Sequence, residues 1–502
     1  MSIFVALLLL LPVLIPILKR VSSSIKHKLP PCPPKLPLIG NLHQLTSLPH
    51  HSLHALSKKH GPLMLLKLGQ VPTLVVSSPD MTREILRTHD HIFGNRPSSL
   101  ASTIMMYGAR DVVFAPYSQH WRQTKKLCVN HLLSTKMVQS FRSVLEEEVT
   151  SMVSSISDMC TSRATINMSE VLHVFVNRLV CRIISGRYFT DEGRCRVMCK
   201  MIDELSVTFG QISIGDFMPW LGWLDRVSGL EARTIKSFKK WDSVLDEIIE
   251  ENTNSLKGKM DAGEKLDFVD VLLALQSNKD AEILLNRDTI KAILLDMIAA
   301  GTDTTFLVLD WGMTELARHP EVMKKVQNEV REILSTKSSI ADEDLSRMSY
   351  LKATIKETFR LHPPLPLLIP RESMDQCIIQ GHEIPKYTRV FINIWAIGRD
   401  PKLWEAPEEF RPERFLDNPI NYKGHHFELI PFGAGRRICP GMQLGVSMLE
   451  LAFANLVKNF DWELPDGIMK EDLDMGDSPG ISSRRRQNLY LSAKPLQCHL
   501  NK

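Results

Sequence analysis

Apolar residues recur at helical spacing along most of the chain. Residues 141–156, 232–253, 289–317 and 320–335 carry them three and four apart with few breakers, which predicts helices. Strand-like runs are fewer and shorter. They lie within 62–78, where LMLLKLG and TLVVSS occur, and at 388–394, TRVFINI. Proline-studded stretches at 362–370 and 400–422 predict long loops, since proline removes a backbone donor and breaks helices. The pattern predicts a mainly α fold with small β-sheets, α+β rather than alternating βα.

Two segments depart from it. Residues 3–18, IFVALLLLLPVLIPIL, hold no charge and at helical rise span roughly 24 Å, usable in a thin endoplasmic-reticulum bilayer. Neither Met1-Ser2 nor LKRVSSS supplies the charged leader and cleavage site of a signal peptide, so an uncleaved membrane anchor is expected over 1–20. Lys19, Arg20, Lys26 and Lys28 follow it. They predict a single pass with the folded part in the cytosol. KLPPCPPKLPLIGN (28–41) then places five prolines in eight residues, a stiff extended spacer, and a hinge is expected over 21–37. No later shift in composition marks a boundary, so one domain is expected over 38–502.

The second departure is 289–317, TIKAILLDMIAAGTDTTFLVLDWGMTELA. Apolar residues surround this helix almost completely, which predicts a core position. Yet its middle holds Gly301, Thr302, Asp303, Thr304 and Thr305, and such residues predict a local distortion. A polar surface stripe is the plain alternative. In a buried helix an acid beside an alcohol is costly without a task, and that pair can relay protons.

Composition narrows the choice. A formal charge of +4 over 502 residues gives no reason to expect a nucleic-acid partner. Nine cysteines, at 32, 128, 160, 181, 195, 199, 377, 439 and 498, follow no repeating spacing. They argue against a disulfide framework and for a reducing compartment. Cys195 and Cys199 lie one helical turn apart with no second pair, so they read as ordinary helix cysteines rather than a zinc site.

The loop PFGAGRRICPG (431–441) is denser in chemistry. Its glycines permit close backbone approach, and Arg436 and Arg437 precede Cys439, favouring a thiolate. A surface turn, a phosphate loop and a haem site with Cys439 as axial ligand are the three readings. The phosphate loop lacks its third glycine and its Lys-Ser/Thr ending. Further features are Glu357 and Arg360 in KETFRLHPP, one face of a helix, and Arg414 in EEFRPERF.

In this order the elements resemble those of the cytochromes P450, and in detail the plant microsomal members that oxidise specialised metabolites. The resemblance spans essentially the whole chain. Its most specific motif, F-x-x-G-x-R-x-C-x-G, is matched at Phe432, Gly435, Arg437, Cys439 and Gly441. It implies haem b, iron protoporphyrin IX, with Cys439 as the metal ligand and the loop glycines close to the porphyrin. Asp303 and Thr304 match the family's acid–alcohol pair, with Ala300 and Gly301 beside the oxygen site. Trp121, Lys125, Arg371 and Arg437 match residues that hold the propionates, and Glu357, Arg360 and Arg414 match a structural triad. Many relatives have arginine at the place of Lys125; a lysine keeps the charge and loses the bidentate geometry. A thiolate ligand favours O–O cleavage, where histidine suits reversible binding.

The resemblance further implies an NADPH-dependent monooxygenase of the endoplasmic-reticulum membrane that uses O2. A separate NADPH–cytochrome reductase would carry the flavins, and Arg122, Lys125, Lys126 and Arg436 would offer it a basic face. The pocket would be lined from 98–116, 205–213, 296–305, 365–369 and 480–482, with Val207, Phe209 and Ile481 among its apolar residues. Such a pocket suits a small hydrophobic plant metabolite, a terpenoid or a phenylpropanoid such as a coumarin. Two rivals keep the haem: a reductase-independent isomerase or dehydratase, and a non-enzymatic haem-binding protein. The retained Asp303–Thr304 pair counts against both.

Overall fold

The computed structural model describes residues 28–161, 165–186, 192–277, 285–335, 337 and 339–496. The anchor expected at 1–20 and the first part of the hinge lie outside the described residues. Helices α1 (Pro49–His60), α2 (Gln119–Leu127), α3 (Arg142–Thr161), α4 (Met168–Ile184) and α5 (Glu192–Gly210) come first. The long α6 (Leu230–Asp261) and α7 (Arg287–Arg318) follow, then α8 (Pro320–Ile333), α9 (Ser349–Leu361) and α10 (Met442–Asn459). All four helices expected from periodicity are present, with α6 longer at both ends than the pattern marked.

Helix α7 is the axis of the body and packs against α4, α9 and α10. Its length and apolarity would let it cross a membrane, but 67% of its apolar window is buried inside the protein, as a core helix requires. Asn286 caps its start by accepting from the Thr289 amide at 2.8 Å. Gly312 makes room for a neighbour: a Cβ there would stand 2.4 Å from the Phe453 ring of α10. The distortion expected at AAGTDTT does not occur, and the helix runs unbroken from Arg287 to Arg318. The Thr304 hydroxyl donates to the Ala300 carbonyl at 2.7 Å, a bond made without displacing the backbone ladder.

The sheets are small. Strands β1 (Leu63–Leu68) and β2 (Val71–Val76) form a hairpin around Gly69, whose φ is +60°. Next come β3 (Ile166–Asn167), β4 (Arg371–Glu372), β5 (Arg389–Ile392), β6 (Phe460–Glu463), β7 (Asp477–Ser478), β8 (Arg484–Arg485) and β9 (Tyr490–Pro495). The largest sheet has the order β1-β2-β5-β4, with β2 parallel to β5 and Arg371 opposite Val390. That register carries Arg371 from the sheet edge into the interior, where it is 4% exposed. β9 lies between β3 and β6, and β7 and β8 form a hairpin whose loop bears Ile481.

The triad matched at Glu357, Arg360 and Arg414 forms a closed knot. Glu357 takes two bonds from Arg360, 2.7 and 2.8 Å, and one from Arg414 at 2.9 Å. The remaining guanidinium donors of Arg360 go to the carbonyls of Gly398, Pro407 and Glu409. This fastens the loop around 400–414 to α9, beneath the segment that carries Cys439.

Candidate active site

Cys439 is held by its loop and by the start of α10. Its amide donates to the Phe432 carbonyl at 2.9 Å, and the Phe432 ring meets Phe359 and Tyr422 edge-on at 5.3 and 5.7 Å. Burial pushes the thiol up, while the Gly441 and Met442 amides and the Lys125 charge pull it down. Those donors, at a helix N-terminus, are what a thiolate needs. The sulfur opens onto an internal cavity of about 310 Å³, within the range of ligand sites.

The accessible middle of α7 forms the wall opposite: Ala300, Gly301, Asp303 and Thr304 all line the cavity. Phe114 and Phe209 also face it, stacked with centroids 4.6 Å apart and planes 8° apart. Phe432 and Gly441 line it beside Cys439, and Ile481 reaches it from the β7–β8 loop. One expectation needs correction. Val207, expected in the pocket, is 51% exposed, because it points from the face of α5 away from Phe209. Gly435, expected at the cofactor, does not line the cavity. Its φ of +68° turns the loop against Leu86 and Asp90, where a Cβ would stand 2.4 Å from the Leu86 carbonyl oxygen.

The cations of the site are crowded. Arg437 donates to the carbonyls of Gly94 (2.9 Å) and Ala115 (2.7 Å) and lies 3.8 Å from the Trp121 ring centroid. Trp121 in turn donates to the Val112 carbonyl at 3.0 Å. Arg371 donates to the Ala434 carbonyl at 2.7 Å and pairs with Asp90 at 3.1 Å. Lys125 donates to the Arg436 and Ile438 carbonyls. Arg96, which the sequence reading missed, donates to the Val113 and Pro370 carbonyls at 2.9 Å each.

Burial, followed by repulsion from neighbouring arginines, lowers Arg96, holds Arg437 at about 9 and holds Lys125 at about 8. Asp90 and Asp111 are the carboxylates that act on this group, so four cations face two acids. A surplus of buried positive charge is costly unless an anion joins it. Haem fits: two propionates answer the charge, a flat apolar ring answers the walls, and iron answers the thiolate.

The acids of the cavity are also specifically placed. Asp303 accepts from Arg484 at 2.6 Å, and the other arm of Arg484 reaches Asp203 on α5. Arg484 was not legible as a site residue. Asp296, a full two turns before Thr304 on α7, accepts from the Val112 and Val113 amides at 2.7 and 3.2 Å. Neighbouring Asp111 accepts from Phe114 at 2.6 Å. Burial and each other's charge push Asp296 well up, and burial pushes Asp111 up to about 6. The pair clasps the 111–114 loop to α7 as one side of the cavity.

Known proteins share this architecture. The family model described as Cytochrome P450 matches residues 30–491. Cytochrome P450 736A117 of Prunus mume is 49% identical over 478 residues, covering 94% of this chain and 92% of that one. Strychnine-11-hydroxylase of Strychnos nux-vomica is 46% identical over 483 residues, covering 96% and 94%. Among solved structures, a zebra fish cytochrome P450 with progesterone superposes with a TM-score of 0.75 at 26% identity, covering 89% of this chain and 99% of that one. With a family match over most of its length and a cysteine-bearing loop set beneath a cation-lined cavity, the chain belongs to the cytochrome P450 family, a haem-thiolate monooxygenase family of which plant enzymes are its relatives.

Proposed function

We propose that the protein inserts one oxygen atom from O2 into a small hydrophobic plant specialised metabolite, with electrons from NADPH delivered by a separate reductase. The observation that carries this reading is one apolar cavity with Cys439 at one side and Asp303–Thr304 at the other. Haem, when bound, supplies the iron at which oxygen is activated. Cys439 would hold it as a thiolate, and Arg96, Arg371, Arg437, Trp121 and Lys125 would receive its propionates. Thr304 donates to Ala300 O, so its lone pairs remain to accept from a water in the cavity. Arg484 pairs with the Asp303 carboxylate at 2.6 Å and turns it to one place, from which it would relay a proton beside Thr304.

The stacked faces of Phe114 and Phe209 favour a flat ring system, which suits a phenylpropanoid such as a coumarin better than a terpenoid. Arg122, Lys126 and Arg436 are exposed near the Cys439 loop and suit an acidic reductase surface. An endoplasmic-reticulum membrane location, with an anchor at 1–20, is supported by apolar residues on the body. Gly69 bonds to Ile39 and Gln70 to Phe217, which gathers Leu38 (73% exposed) and the segment bearing Trp220 and Trp223 (54% and 57%).

The test is Thr304→Ala in microsomes with a reductase, NADPH and a panel of both metabolite classes. A positioned proton-transfer group contributes about 10²–10⁴ in rate. Product per NADPH consumed should collapse while hydrogen peroxide rises and the ferrous carbon-monoxide spectrum stays. An unchanged ratio would refute the relay. Turnover without NADPH or O2 would overturn the monooxygenase reading. In Cys439→His, retention of the thiolate-type carbon-monoxide band would remove Cys439 as the ligand.

A further inference from the structure

Where the start of α1 meets the β7–β8 hairpin, two imidazoles converge on one carboxylate oxygen. His50 Nε2 stands 3.2 Å and His51 Nε2 3.6 Å from Asp477 Oδ2, and the three ligand atoms lie within 4.8 Å of one another. We infer that His50, His51 and Asp477 form a binding site for a divalent cation of the zinc type, outside the active site.

Geometry supports this. Zinc with arms of about 2.0–2.1 Å sets neighbouring tetrahedral ligand atoms about 3.3–3.4 Å apart. The two observed separations bracket that edge, so an ion enters with little movement. The 3.6 Å contact is too long for a good hydrogen bond, so hydrogen bonding does not account for His51 turning to this carboxylate. Two imidazoles and one carboxylate favour zinc over magnesium or calcium, which prefer oxygen ligands.

Charge points the same way. The Asp477 side chain is 8% exposed, and among the described residues no lysine or arginine nitrogen lies within 4.0 Å of it. The other charged groups here are Arg399, stacked on Trp395 at 4.0 Å and paired with Glu408, and His54 on the next turn. None of them bonds to Asp477. A buried carboxylate with no lysine or arginine beside it, among the described residues, is a place that favours a cation.

The surroundings hold the ligands still. Ser483 donates to Asp477 Oδ1 at 2.9 Å, Asn393 donates to the His50 carbonyl at 2.8 Å, and Trp395 packs against both histidine rings. His51, with 45% of its side chain exposed, is the entry path. The ion would join α1 to the hairpin that brings Ile481 to the cavity and Arg484 to Asp303.

The experiment uses the full-length holoprotein in detergent, stripped with a chelator, dialysed against Zn²⁺ and assayed for metal. One equivalent is expected in the wild type, unaffected by millimolar Mg²⁺, and at least about tenfold weaker retention in His51→Ala and Asp477→Asn. His43→Ala, an exposed histidine elsewhere, should retain it. Zn²⁺ should also raise the unfolding midpoint of the wild type and not that of His51→Ala. The carbon-monoxide spectrum checks that each variant is intact. Equal zinc in wild type and His51→Ala, or displacement by Mg²⁺, would overturn the site.

Discussion

The fold buries two arginine centres, and they serve different ends. Around Glu357 one carboxylate takes three charged bonds from Arg360 and Arg414, and the leftover donors end on carbonyls. The knot is closed and has no place for a ligand. Around Arg437 the guanidiniums of Arg96 and Arg371 and the Lys125 amine share the carboxylates of Asp90 and Asp111. That group lines the cavity, and its hydrogen bonds are made. Burial of arginine is therefore not the mark of a binding site: both centres hold two cations per carboxylate, and the second is the one that faces the cavity.

Mutation separates the two. Arg360→Ala strands Glu357 in the interior and should cost about 3–5 kcal/mol in unfolding experiments, with or without haem. Arg371→Gln should behave differently. The haem-free protein should keep its unfolding midpoint or gain, since a surplus charge is gone. Haem transfer to a competing apoprotein should become roughly 10–100-fold faster, from a charged bond worth about 1.5–3 kcal/mol. Equal damage to the haem-free protein in both variants would erase the contrast.

Trp121→Phe tests the open centre more gently. It removes the bond to Val112 and should cost about 1 kcal/mol, with a smaller rise in haem loss than Arg371→Gln.

The smallest effect is a slope. Asp111 ionises in the folded state only at about 6, above its unfolded value. Its contribution to stability is complete below the unfolded value and is lost as pH rises through 6. Urea midpoints between pH 4.5 and 7.5 should fall less steeply in Asp111→Asn than in the wild type. Parallel profiles would mean that the Asp111–Asp296 clasp shares no proton.

Sequence pattern revealed the parts of this architecture that are local. α7 is one periodic run, and the β1–β2 hairpin and the Cys439 loop are contiguous motifs. Arg96 was not legible, because an arginine before a proline has no period, and its carbonyl partner at Ile369 lies 273 positions away. Arg484 meets Asp303 across 181 positions, in a strand of two residues that no window can register. Helix α4 was also missed: MSEVLHVFVNRLVCRII is rich in β-branched and apolar residues, and such runs read equally as strand or buried helix. Val207 failed for another reason. A range names neighbours in sequence, while α5 turns successive residues to different faces.

The position of β9 also fixes an order of manufacture. Leu489 bonds to Ser169 across 320 positions, and the strand it leads lies between β3 and β6. A chain leaves the ribosome from its N-terminus, and units fold as they emerge. Until residues 477–495 emerge, β3 lacks the strand it pairs with, Asp303 lacks Arg484 and the cavity lacks its wall at Ile481. A nascent chain carrying every residue of the Cys439 loop is therefore still an unsealed vessel. Completion of the site, and with it any tight retention of haem or substrate, waits on the emergence of residues 477–495.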